Sequence, residues 1–524
     1  MRMMGRRGMV ASPHYLATGA GVSVLRRGGN AIDAAIATNA VLGVVTPYVC
    51  GLGGDLFALV YTRHDGQLAG LNGSGRAPAA ATLDEVRRLA GDRMPERGPL
   101  TVTVPGCVEA WGQLHRRYGR LDLGDILSEA VYYAREGFPV SAEFAAAIQR
   151  SARIFHPDTP AAETFLPHGS SPTEGQVLVQ PRLARTLETI GRDGPEAFYR
   201  GALAEELVRT LQAVGGLMTL QDLAEHHSDW VEPLSAQYRD VTVYELPPNS
   251  QGIVALLMLS MLQHLPEEAL RGGEAEYVHL VAEVARLAYA DREAYLTDID
   301  HMAIPPAALL DPEYARRRAA EVGERAAPRV QPGSPGDTIY LCTADGEGNL
   351  VSLIESNFMG IGSGVMGGET GVMLQNRGAW FSLQPDHANV IAPRKRTMHT
   401  LMPGMAFRGG QPWLVFGTMG GSAQAEINVQ LLTRIVDQGM AIDEALAAPR
   451  FDAVVGADAE GRPAVLLESG FPQQTADELR RRGHGVTSLE AQAGLGHAHA
   501  IQLLGDGVYV GAADPRTHSL ALGY

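Results

Sequence analysis

The sequence predicts an α/β protein in which layers of helix and sheet pack as a sandwich, and three observations point to it. The first part of the 524-residue chain, to about residue 324, shows mostly helical periodicity with short strands between the helices. A connector rich in Pro, Gly and Ser follows at residues 326–336. Beyond it the pattern changes to buried strands interrupted by two helices, so both parts are expected to share the sheets.

Each element follows from the spacing of apolar residues. Recurrence every three or four positions predicts helices in the first part at 18–45, 108–117, 183–190, 202–214, 253–265 and 277–295. Short β-type runs there predict strands at 57–61 and 241–246. The second part has predicted strands at 338–344, 350–356, 402–407, 413–417, 464–468 and 498–504, and predicted helices at 424–436 and 475–482.

Composition favours a small-molecule substrate. The formal charge of -16 argues against nucleic acid or an anionic membrane as a partner, because phosphate contacts need clustered Lys and Arg. The longest apolar run, residues 253–262, is far shorter than the roughly 20 residues that span a bilayer.

Cysteine usage and the N-terminal sequence bear on the compartment. The three cysteines are widely spaced and form no paired motif, which predicts neither a disulfide framework nor a zinc site. The residues after Arg6 and Arg7 lack the apolar stretch of a secretory signal. A cytoplasmic location is therefore expected.

The segment that begins at Thr338 carries the most informative pattern. Residues 345–349, Asp-Gly-Glu-Gly-Asn, favour a chain reversal between two strands. If that reversal centres on residue 347, Thr338 and Ser356 are equidistant from it and face each other across the hairpin. The pattern therefore predicts two hydroxyl groups side by side.

A threonine at this position becomes a catalyst if the chain cuts itself between Asp337 and Thr338. The new amine, with an unperturbed pKa of about 7.7–8, could accept the proton of the Thr338 hydroxyl, and Ser356 could orient that amine. Gly420 and Gly421, between a predicted strand and a predicted helix, offer backbone N–H groups for an oxyanion. The alternative interpretation of Thr338 is an ordinary strand residue, and that of Gly420 and Gly421 is an ordinary tight turn between strand and helix.

In combination, these features resemble the gamma-glutamyltranspeptidase family of N-terminal nucleophile hydrolases, nearly from end to end. The family's signatures recur in order at residues 25–35, 51–55, 76–78, 246–252, 337–338, 367–371, 420–422, 448–451 and 514–516.

The resemblance implies a proenzyme that cuts itself before Thr338. A large chain, residues 1–337, and a small chain, residues 338–524, would remain associated as one unit in a four-layer αββα sandwich. It also implies that Thr338 is nucleophile and base, that Ser356 is the second hydroxyl, and that Gly420 and Gly421 are the oxyanion donors. No metal or cofactor is required, and a homodimer is left open.

The sequence departs from the family at the substrate-binding positions. Where γ-glutamyl enzymes hold the substrate ammonium with amide and acidic side chains, this chain has Phe358, Arg377 and Trp380. The family's paired serines, which help to bind the α-carboxylate, appear as His399 and Thr400. The family's carboxylate-binding arginine is displaced to Arg76.

Arg377 has two interpretations. It is a surface residue, solvated or in a salt bridge, or it binds a substrate carboxylate through its planar fork. The second interpretation favours an acyl group that carries a carboxylate.

The segment 381–394 lies where transpeptidases carry a lid over the site, and it is short for that role. Because water reaches an acyl-enzyme that has no lid, this favours hydrolysis over transfer. The leading hypothesis is an autoprocessing threonine amidohydrolase that acts on γ-glutamyl amides such as glutathione. The alternatives are an amidohydrolase for a dicarboxylic acid monoamide, such as a glutaryl amide or oxamate, and an unprocessed, non-catalytic binding homologue.

Overall fold

Two seven-stranded sheets lie face to face between two layers of helix in the computed structural model, which describes residues 2–328, 336–453, 455–490 and 494–524. Most of the connector predicted at 326–336, namely residues 329–335, lies outside the described residues. The expected four-layer αββα sandwich is confirmed.

The strands of the described residues are β1 (Arg2–Gly5), β2 (Gly8–Ser12), β3 (Asp55–Thr62), β4 (Gln67–Gly73), β5 (Phe138–Pro139), β6 (Val177–Leu178), β7 (Asp229–Val231), β8 (Leu234–Tyr238), β9 (Val241–Glu245), β10 (Asp337–Asp345), β11 (Leu350–Phe358), β12 (Gly404–Arg408), β13 (Gln411–Thr418), β14 (Phe451–Asp452), β15 (Ala464–Leu467), β16 (Gly485–Ser488), β17 (Ala498–Leu504), β18 (Val508–Ala513) and β19 (Leu520–Gly523).

The α-helices of the same residues are α1 (Tyr15–Arg26), α2 (Ala31–Val45), α3 (Leu83–Ala90), α4 (Cys107–Tyr118), α5 (Leu123–Glu136), α6 (Ala142–Ser151), α7 (Pro160–Phe165), α8 (Pro181–Asp193), α9 (Glu196–Tyr199), α10 (Ala202–Ala213), α11 (Leu220–Ala224), α12 (Gly252–Leu262), α13 (Glu267–Arg271), α14 (Glu274–Tyr295), α15 (Pro306–Leu309), α16 (Pro312–Ala319), α17 (Gln424–Val436), α18 (Ile442–Ala447) and α19 (Gln473–Arg481). None of these helices is both long and apolar enough to cross a bilayer.

Both large sheets mix strands from before and after residue 337. One sheet has the order β1-β18-β17-β13-β12-β9-β8, and the other has the order β19-β2-β10-β11-β3-β4-β7. Side chains from both sheets, among them Phe57, Tyr340 and Val415, form the apolar layer between them. The strands β10 and β11 therefore lie inside a sheet whose neighbours come from both parts of the chain.

A helical layer covers the outer face of each sheet. Helices α1, α2 and α4 pack on the sheet that contains β10, with α5 against α2 and α8 against α5; α12 and α17 pack on the other sheet, and α14 packs against both of them. Helix α2 is buried along its whole length, and α12 is buried over all but one of its eleven residues. Their sequences are therefore apolar all round, as expected for helices enclosed on every side.

Most predicted elements are found within a few residues of their predicted bounds. The helix predicted at 18–45 was wrong as a single element, because it breaks into α1 and α2. Asn30 caps the start of α2 by accepting bonds from the N–H groups of Ile32 and Asp33. The three-or-four-residue spacing that predicted these helices implies one apolar face, which was wrong for α2 and α12, since both are enclosed.

Candidate active site

Thr338 lies at the start of β10, directly across from β11. The pairing of Ile339 with Glu355 and of Tyr340 with Ile354 gives the register that a reversal centred on residue 347 predicts. The register shifts by one residue between Asp337 and Ile339, so that Thr338 faces two residues of β11, Ser356 and Asn357, which form a bulge. Thr338 is 3% exposed and Ser356 is fully buried.

The Ser356 hydroxyl joins the nucleophile to the bond that would be cut. Thr338 Oγ1 donates to Ser356 Oγ at 3.2 Å, and Ser356 Oγ donates to the carbonyl oxygen of Asp337 at 2.6 Å. The N–H of Phe358 donates to the same Ser356 oxygen at 2.7 Å. One hydroxyl can therefore receive a proton from Thr338 and polarise the Asp337 carbonyl.

The glycine pair lies between strand β13 and helix α17, as the sequence predicts. Gly420 has φ 136° and Gly421 has φ 55°, backbone conformations that favour glycine. A single 3₁₀ turn, Gly421–Ala423, connects the pair to α17, so the positive end of the helix dipole lies close by. Both features suit the binding of an oxyanion.

The glycine pair is held from behind by a buried polar network that the sequence interpretation missed. Gln251 Nε2 donates to the carbonyl oxygens of Gly421 at 3.1 Å and of Thr400 at 3.0 Å. Arg292 Nη1 donates to Gln251 Oε1 at 3.0 Å and to Ser422 Oγ at 3.2 Å. Gln251 belongs to the conspicuous Pro-Pro-Asn-Ser-Gln-Gly run, which was the available signal.

A cavity of about 650 Å³ opens onto Thr338. Its lining includes the glycine pair's first member and several charged side chains: Gly420, Asp337, Arg97, Arg150 and Glu143. Of the described residues, none from 381–394 lines this cavity, and Phe381, Leu383 and Ile391 pack instead around Val86 of α3.

Four of the predicted substrate-binding residues form one cluster next to Ser356. Arg377 Nη1 donates to Thr400 Oγ1 at 3.2 Å, and the guanidinium lies 4.0 Å from the centre of the Phe358 ring. The rings of Phe358 and Trp380 meet edge to face at 5.3 Å. The structure therefore brings Arg377, Thr400, Phe358 and Trp380 together.

Arg377 is fully buried, so its interpretation as a surface residue was wrong. Its Nε and Nη2 have no hydrogen-bond partner among the described residues. Burial lowers the pKa of the guanidinium to about 9, with Asp55 acting in the opposite direction. A buried, charged fork with free N–H groups is suited to bind a carboxylate.

His399 is a structural partner of Asp55 in this arrangement. Its Nε2 lies 3.1 Å from Asp55 Oδ2, and its Nδ1 accepts the N–H of Leu401 at 3.3 Å. Nε2 is therefore the protonated nitrogen, and it donates to the carboxylate. Burial, together with the charge of Arg377, lowers the pKa of His399 to about 3. The ring is neutral near neutral pH and offers no free donor.

Arg76 is engaged elsewhere. Its Nη2 pairs with Asp229 Oδ2 at 3.1 Å, and Arg396 pairs with the same carboxylate. Arg76 does not line the Thr338 cavity. Its role in substrate binding stays a prediction, and the structure does not bring it to Thr338.

Gly336, the residue two before Thr338, fills the space between the glycine pair and the aromatic cluster. A Cβ atom at Gly336 would lie 3.2 Å from Gly421 Cα and 3.5 Å from the Phe358 ring. In the continuous chain, Gly336 therefore covers the surface that joins Gly421 to Phe358.

A buried cluster of His279, Glu283 and His484 lies outside this site, and the sequence interpretation missed His484. His279 Nε2 lies 2.8 Å from the Gly323 carbonyl, and its Nδ1 lies 2.9 Å from His484 Nε2. Arg286 bonds both Glu283 and His484. These hydrogen bonds occupy the ring nitrogens of His279 and His484, and the Arg286 guanidinium is paired with Glu283.

Two facing sheets between helical layers, with a threonine at the start of an inner strand, define the fold class of N-terminal nucleophile hydrolases. Comparison with known proteins gives the family. The family described as Gamma-glutamyltranspeptidase matches residues 17–524. The chain belongs to the gamma-glutamyltranspeptidase family.

The similar proteins carry several different names. The glutathione hydrolase-like YwrD proenzyme of Bacillus subtilis (strain 168) is 39% identical over 99% of both chains. The oxamate amidohydrolase proenzyme of Klebsiella pneumoniae is 36% identical over 99% of this chain and 98% of its own length. The crystal structure of cephalosporin acylase from Bacillus halodurans has a TM-score of 0.94 at 39% identity, covering 100% of this chain and 97% of its own.

Proposed function

We propose that this protein is an autoprocessing threonine amidohydrolase that hydrolyses γ-glutamyl amides such as glutathione through an acyl-enzyme. The observation that carries the proposal is the chain of hydrogen bonds from Thr338 Oγ1 through Ser356 Oγ to the carbonyl oxygen of Asp337. Ordinary strand packing does not require this chain of hydrogen bonds. The chain places a hydroxyl nucleophile, a proton relay and an amide carbonyl in sequence.

Self-cleavage is the first reaction. Thr338 Oγ1 attacks the carbonyl carbon of Asp337, while Ser356 donates its proton toward the carbonyl oxygen and receives the proton of Thr338. Collapse of the tetrahedral species breaks the C–N bond and gives an ester between Asp337 and Thr338 Oγ1. Water then hydrolyses the ester, which leaves a carboxylate on Asp337 and a free amine on Thr338.

Hydrolysis of the substrate uses the same oxygen with a different base. The freed amine of Thr338 accepts the hydroxyl proton as Oγ1 attacks the substrate carbonyl, and the N–H groups of Gly420 and Gly421 stabilise the oxyanion. The amine then protonates the leaving nitrogen. Water, activated by the same amine, releases the acyl group and restores Thr338.

The buried cluster beside Ser356 is the proposed site for the acyl group. Removal of Gly336 after cleavage would uncover Phe358 and Gly421, and behind Phe358 lies the Arg377 guanidinium with two free nitrogens. A carboxylate on the acyl group would satisfy those nitrogens as a charge-assisted pair. Thr400, already bonded to Arg377, would hold the guanidinium in place.

A second candidate substrate is the monoamide of a dicarboxylic acid that has no amine. It is favoured by the aromatic rings of Phe358 and Trp380 at the positions that hold the ammonium in γ-glutamyl enzymes. The names of an oxamate amidohydrolase and a cephalosporin acylase among the similar proteins support this candidate.

Weak transpeptidation belongs to the proposal. Residues 381–394 pack beside α3 and are not among the described residues that line the Thr338 cavity. If this segment does not cover the site, water competes with an amine acceptor for the acyl-enzyme.

The proposal also includes the association of the two cleaved chains and a cytoplasmic location. Strands from both sides of residue 337 alternate in the two large sheets, which supports continued association after the cut. The three cysteines are free and buried, as expected for a reducing compartment. A homodimer stays a prediction.

The intact mass of the denatured protein tests self-cleavage. A cut before Thr338 gives a small chain of residues 338–524, close to 20 kDa of the 55.9 kDa total. Thr338→Ala should abolish both cleavage and hydrolysis. The matched control is Thr343→Ala, on the same strand, whose buried hydroxyl bonds only the Ala31 carbonyl among the described residues. A wild-type protein that stays intact and inert would identify the non-catalytic binding homologue instead.

Initial rates on γ-glutamyl and glutaryl 4-nitroanilides then choose between the two acyl groups. Faster hydrolysis of the γ-glutamyl compound supports the first candidate. A clear preference for the glutaryl compound would transfer the assignment to the second.

A further inference from the structure

The side chain of Gln251 lies behind residues 420–422, here called the oxyanion turn, and three backbone carbonyls converge on it. Its Nε2 lies 3.1 Å from the carbonyl oxygen of Gly421, 3.3 Å from that of Ser422 and 3.0 Å from that of Thr400. Gln251 is fully buried, so bulk water does not compete for these bonds. One amide nitrogen therefore holds the oxyanion turn by its carbonyl groups.

The orientation of the Gln251 amide decides whether this contact attracts or repels the turn. The amide nitrogen carries two N–H donors, whereas the amide oxygen only accepts hydrogen bonds. If the amide rotated by half a turn, its oxygen would face three carbonyl oxygens, and each of these contacts would be repulsive. The hold on the turn therefore depends on the group that fixes the amide in one orientation.

Arg292 fixes the attractive orientation. Its Nη1 donates to Gln251 Oε1 at 3.0 Å and to Ser422 Oγ at 3.2 Å. A guanidinium has N–H donors and no acceptor, so it bonds only the oxygen end of an amide. The Arg292 side chain is fully buried, and its Nε and Nη2 both donate to Glu293. The buried cation therefore keeps the amide nitrogen of Gln251 on the turn.

Each carbonyl group of the oxyanion turn is bonded in this arrangement. The first accepts the N–H of Ala423 at 3.1 Å, the second accepts from Gln251, and the third accepts from Gln251 and from the Tyr289 hydroxyl. A trans peptide places its C=O and its N–H on opposite sides. Holding the carbonyls therefore fixes the directions of the N–H groups, which is what an oxyanion site requires.

These contacts join the two sides of the cut. Gln251, Tyr289 and Arg292 belong to residues 1–337, whereas Thr400 and the oxyanion turn belong to residues 338–524. In the cleaved protein, the large chain would therefore hold the oxyanion turn of the small chain.

The carbonyl that self-cleavage attacks has a different donor. Ser356 Oγ donates to the carbonyl oxygen of Asp337 at 2.6 Å, and among the described residues no N–H of the glycine pair bonds that oxygen. Charge that develops on this oxygen is stabilised by Ser356, whereas hydrolysis of the substrate relies on the glycine pair. Loss of support for the oxyanion turn should therefore slow hydrolysis far more than self-cleavage.

We propose that Arg292 is a positioning residue for hydrolysis of the substrate and not for self-cleavage, because it holds the oxyanion turn through Gln251. It acts on the reacting atoms only through that amide and the turn. This inference rests on the proposed function, since it concerns the oxyanion formed in that hydrolysis.

The experiment compares Arg292→Met with the wild type in two reactions, self-cleavage and hydrolysis of the preferred 4-nitroanilide. Per cleaved molecule, kcat for hydrolysis should fall about 10- to 100-fold, because a displaced oxyanion donor stabilises the transition state less, while KM changes little. The rate of self-cleavage should stay within about threefold of the wild type. A kcat within threefold of the wild type, or self-cleavage slowed as much as hydrolysis, would overturn the assignment.

Two inhibitors separate positioning of the turn from a general loss of structure. Thr338 Oγ1 adds to the boron of 4-boronobutanoic acid with no bond broken, its proton passes to the Thr338 amine, and a boron-bound oxygen takes the oxyanion position. Glutarate has the same length but forms no adduct. The ratio of Ki, glutarate over boronate, should fall about tenfold in Arg292→Met, since only the adduct uses the turn. A ratio within twofold of the wild type contradicts the proposal.

The matched control is Arg434→Met, which removes another buried arginine. Arg434 lies on α17 and donates to the Pro449 carbonyl, and it bonds neither Gln251 nor the oxyanion turn among the described residues. It should keep the wild-type kcat and Ki ratio. If Arg292→Met fails to fold, Gln251→Glu takes its place, because it keeps an acceptor for Arg292 but turns an oxygen toward the three carbonyls; the same losses are expected.

Hydrogen exchange tests the hold on the turn if the wild type hydrolyses neither nitroanilide, an outcome that removes the proposed function alone. The readout is the exchange rate of the backbone amides of residues 420–423. Faster exchange in Arg292→Met than in the wild type and in Arg434→Met supports the hold. Equal exchange in all three proteins overturns it.

Discussion

Replacing Ser356 with alanine should stall self-cleavage while the fold persists. The substitution removes one hydroxyl that makes three hydrogen bonds: to the Asp337 carbonyl at 2.6 Å, from Thr338 Oγ1 at 3.2 Å and from the Phe358 N–H at 2.7 Å. The first two act on the reacting atoms, and the third positions the hydroxyl. Processing therefore loses both its proton relay and its carbonyl donor.

The expected loss of cleavage rate follows from the hydrogen bond that Ser356 Oγ donates to the Asp337 carbonyl oxygen. Removal of one donor aimed at a developing oxyanion slows such reactions by about 100- to 1000-fold. The cost in stability is smaller, because the Phe358 N–H left without its acceptor destabilises the fold by about 1–3 kcal/mol. A domain with roughly 5–15 kcal/mol of unfolding free energy tolerates that loss. The variant should therefore be folded and uncleaved.

The assay is the time course of the two chains on a denaturing gel, starting from freshly purified proenzyme. Ser352→Ala is the control, since this buried serine on the same strand bonds the Tyr340 hydroxyl at 2.8 Å and lies away from the cut. Ser356→Thr, which restores a hydroxyl, should recover part of the rate. Cleavage of Ser356→Ala within threefold of the wild-type rate would refute the relay.

Three further outcomes are expected. Arg377→Lys keeps a charge but loses the fork, so KM for a carboxylate-bearing donor should rise about tenfold with a smaller change in kcat; an unchanged KM would remove Arg377 from the acyl site. Asp514→Asn breaks a buried pair with Arg450, at 2.6 Å, and should cost about 3–5 kcal/mol in denaturant unfolding of the uncleaved Thr338→Ala protein. Arg450 and Arg516 hold the pKa of Asp514 down to about 2, so the pair's contribution to the free energy of unfolding persists above pH 4 and declines as the pH falls toward 2. If Asp514→Asn loses as much unfolding free energy at pH 2 as at neutral pH, that linkage is contradicted. With glycylglycine as acceptor, hydrolysis should remain faster than transfer, and dominant transfer would refute the inference drawn from residues 381–394.

Local patterns predicted the hairpin at the centre of the site. The turn residues at 345–349 and the alternation on either side of them define one register, and the structure has that register from residue 339 onward. A hairpin is a local structure, so its pairing follows from turn chemistry and side-chain alternation. The bulge in β11 opposite Thr338 was not predictable, because it lies at the end of the hairpin away from the turn that sets the register.

Contacts between distant segments were beyond the sequence. Gln251, just before α12, and Arg292, in α14, support the glycine pair from about 130 to 170 positions away, and Arg97 and Arg150 reach the cavity from separate parts of the chain. No spacing rule connects such residues. Arg76 shows the converse, since a motif position predicted substrate binding and the fold pairs it with Asp229.

The sequence by itself determined the layered α/β class, the family, the paired hydroxyls of Thr338 and Ser356, and the place of the glycine pair, because each of these depends on local spacing or on the order of motifs. Only the tertiary structure decided that Arg377 is buried with two nitrogens unpartnered among the described residues, that His399 is committed to Asp55, and that Asp337, Arg97 and Arg150 line one cavity. The physical reason is that burial and charge pairing depend on which segments the fold brings together.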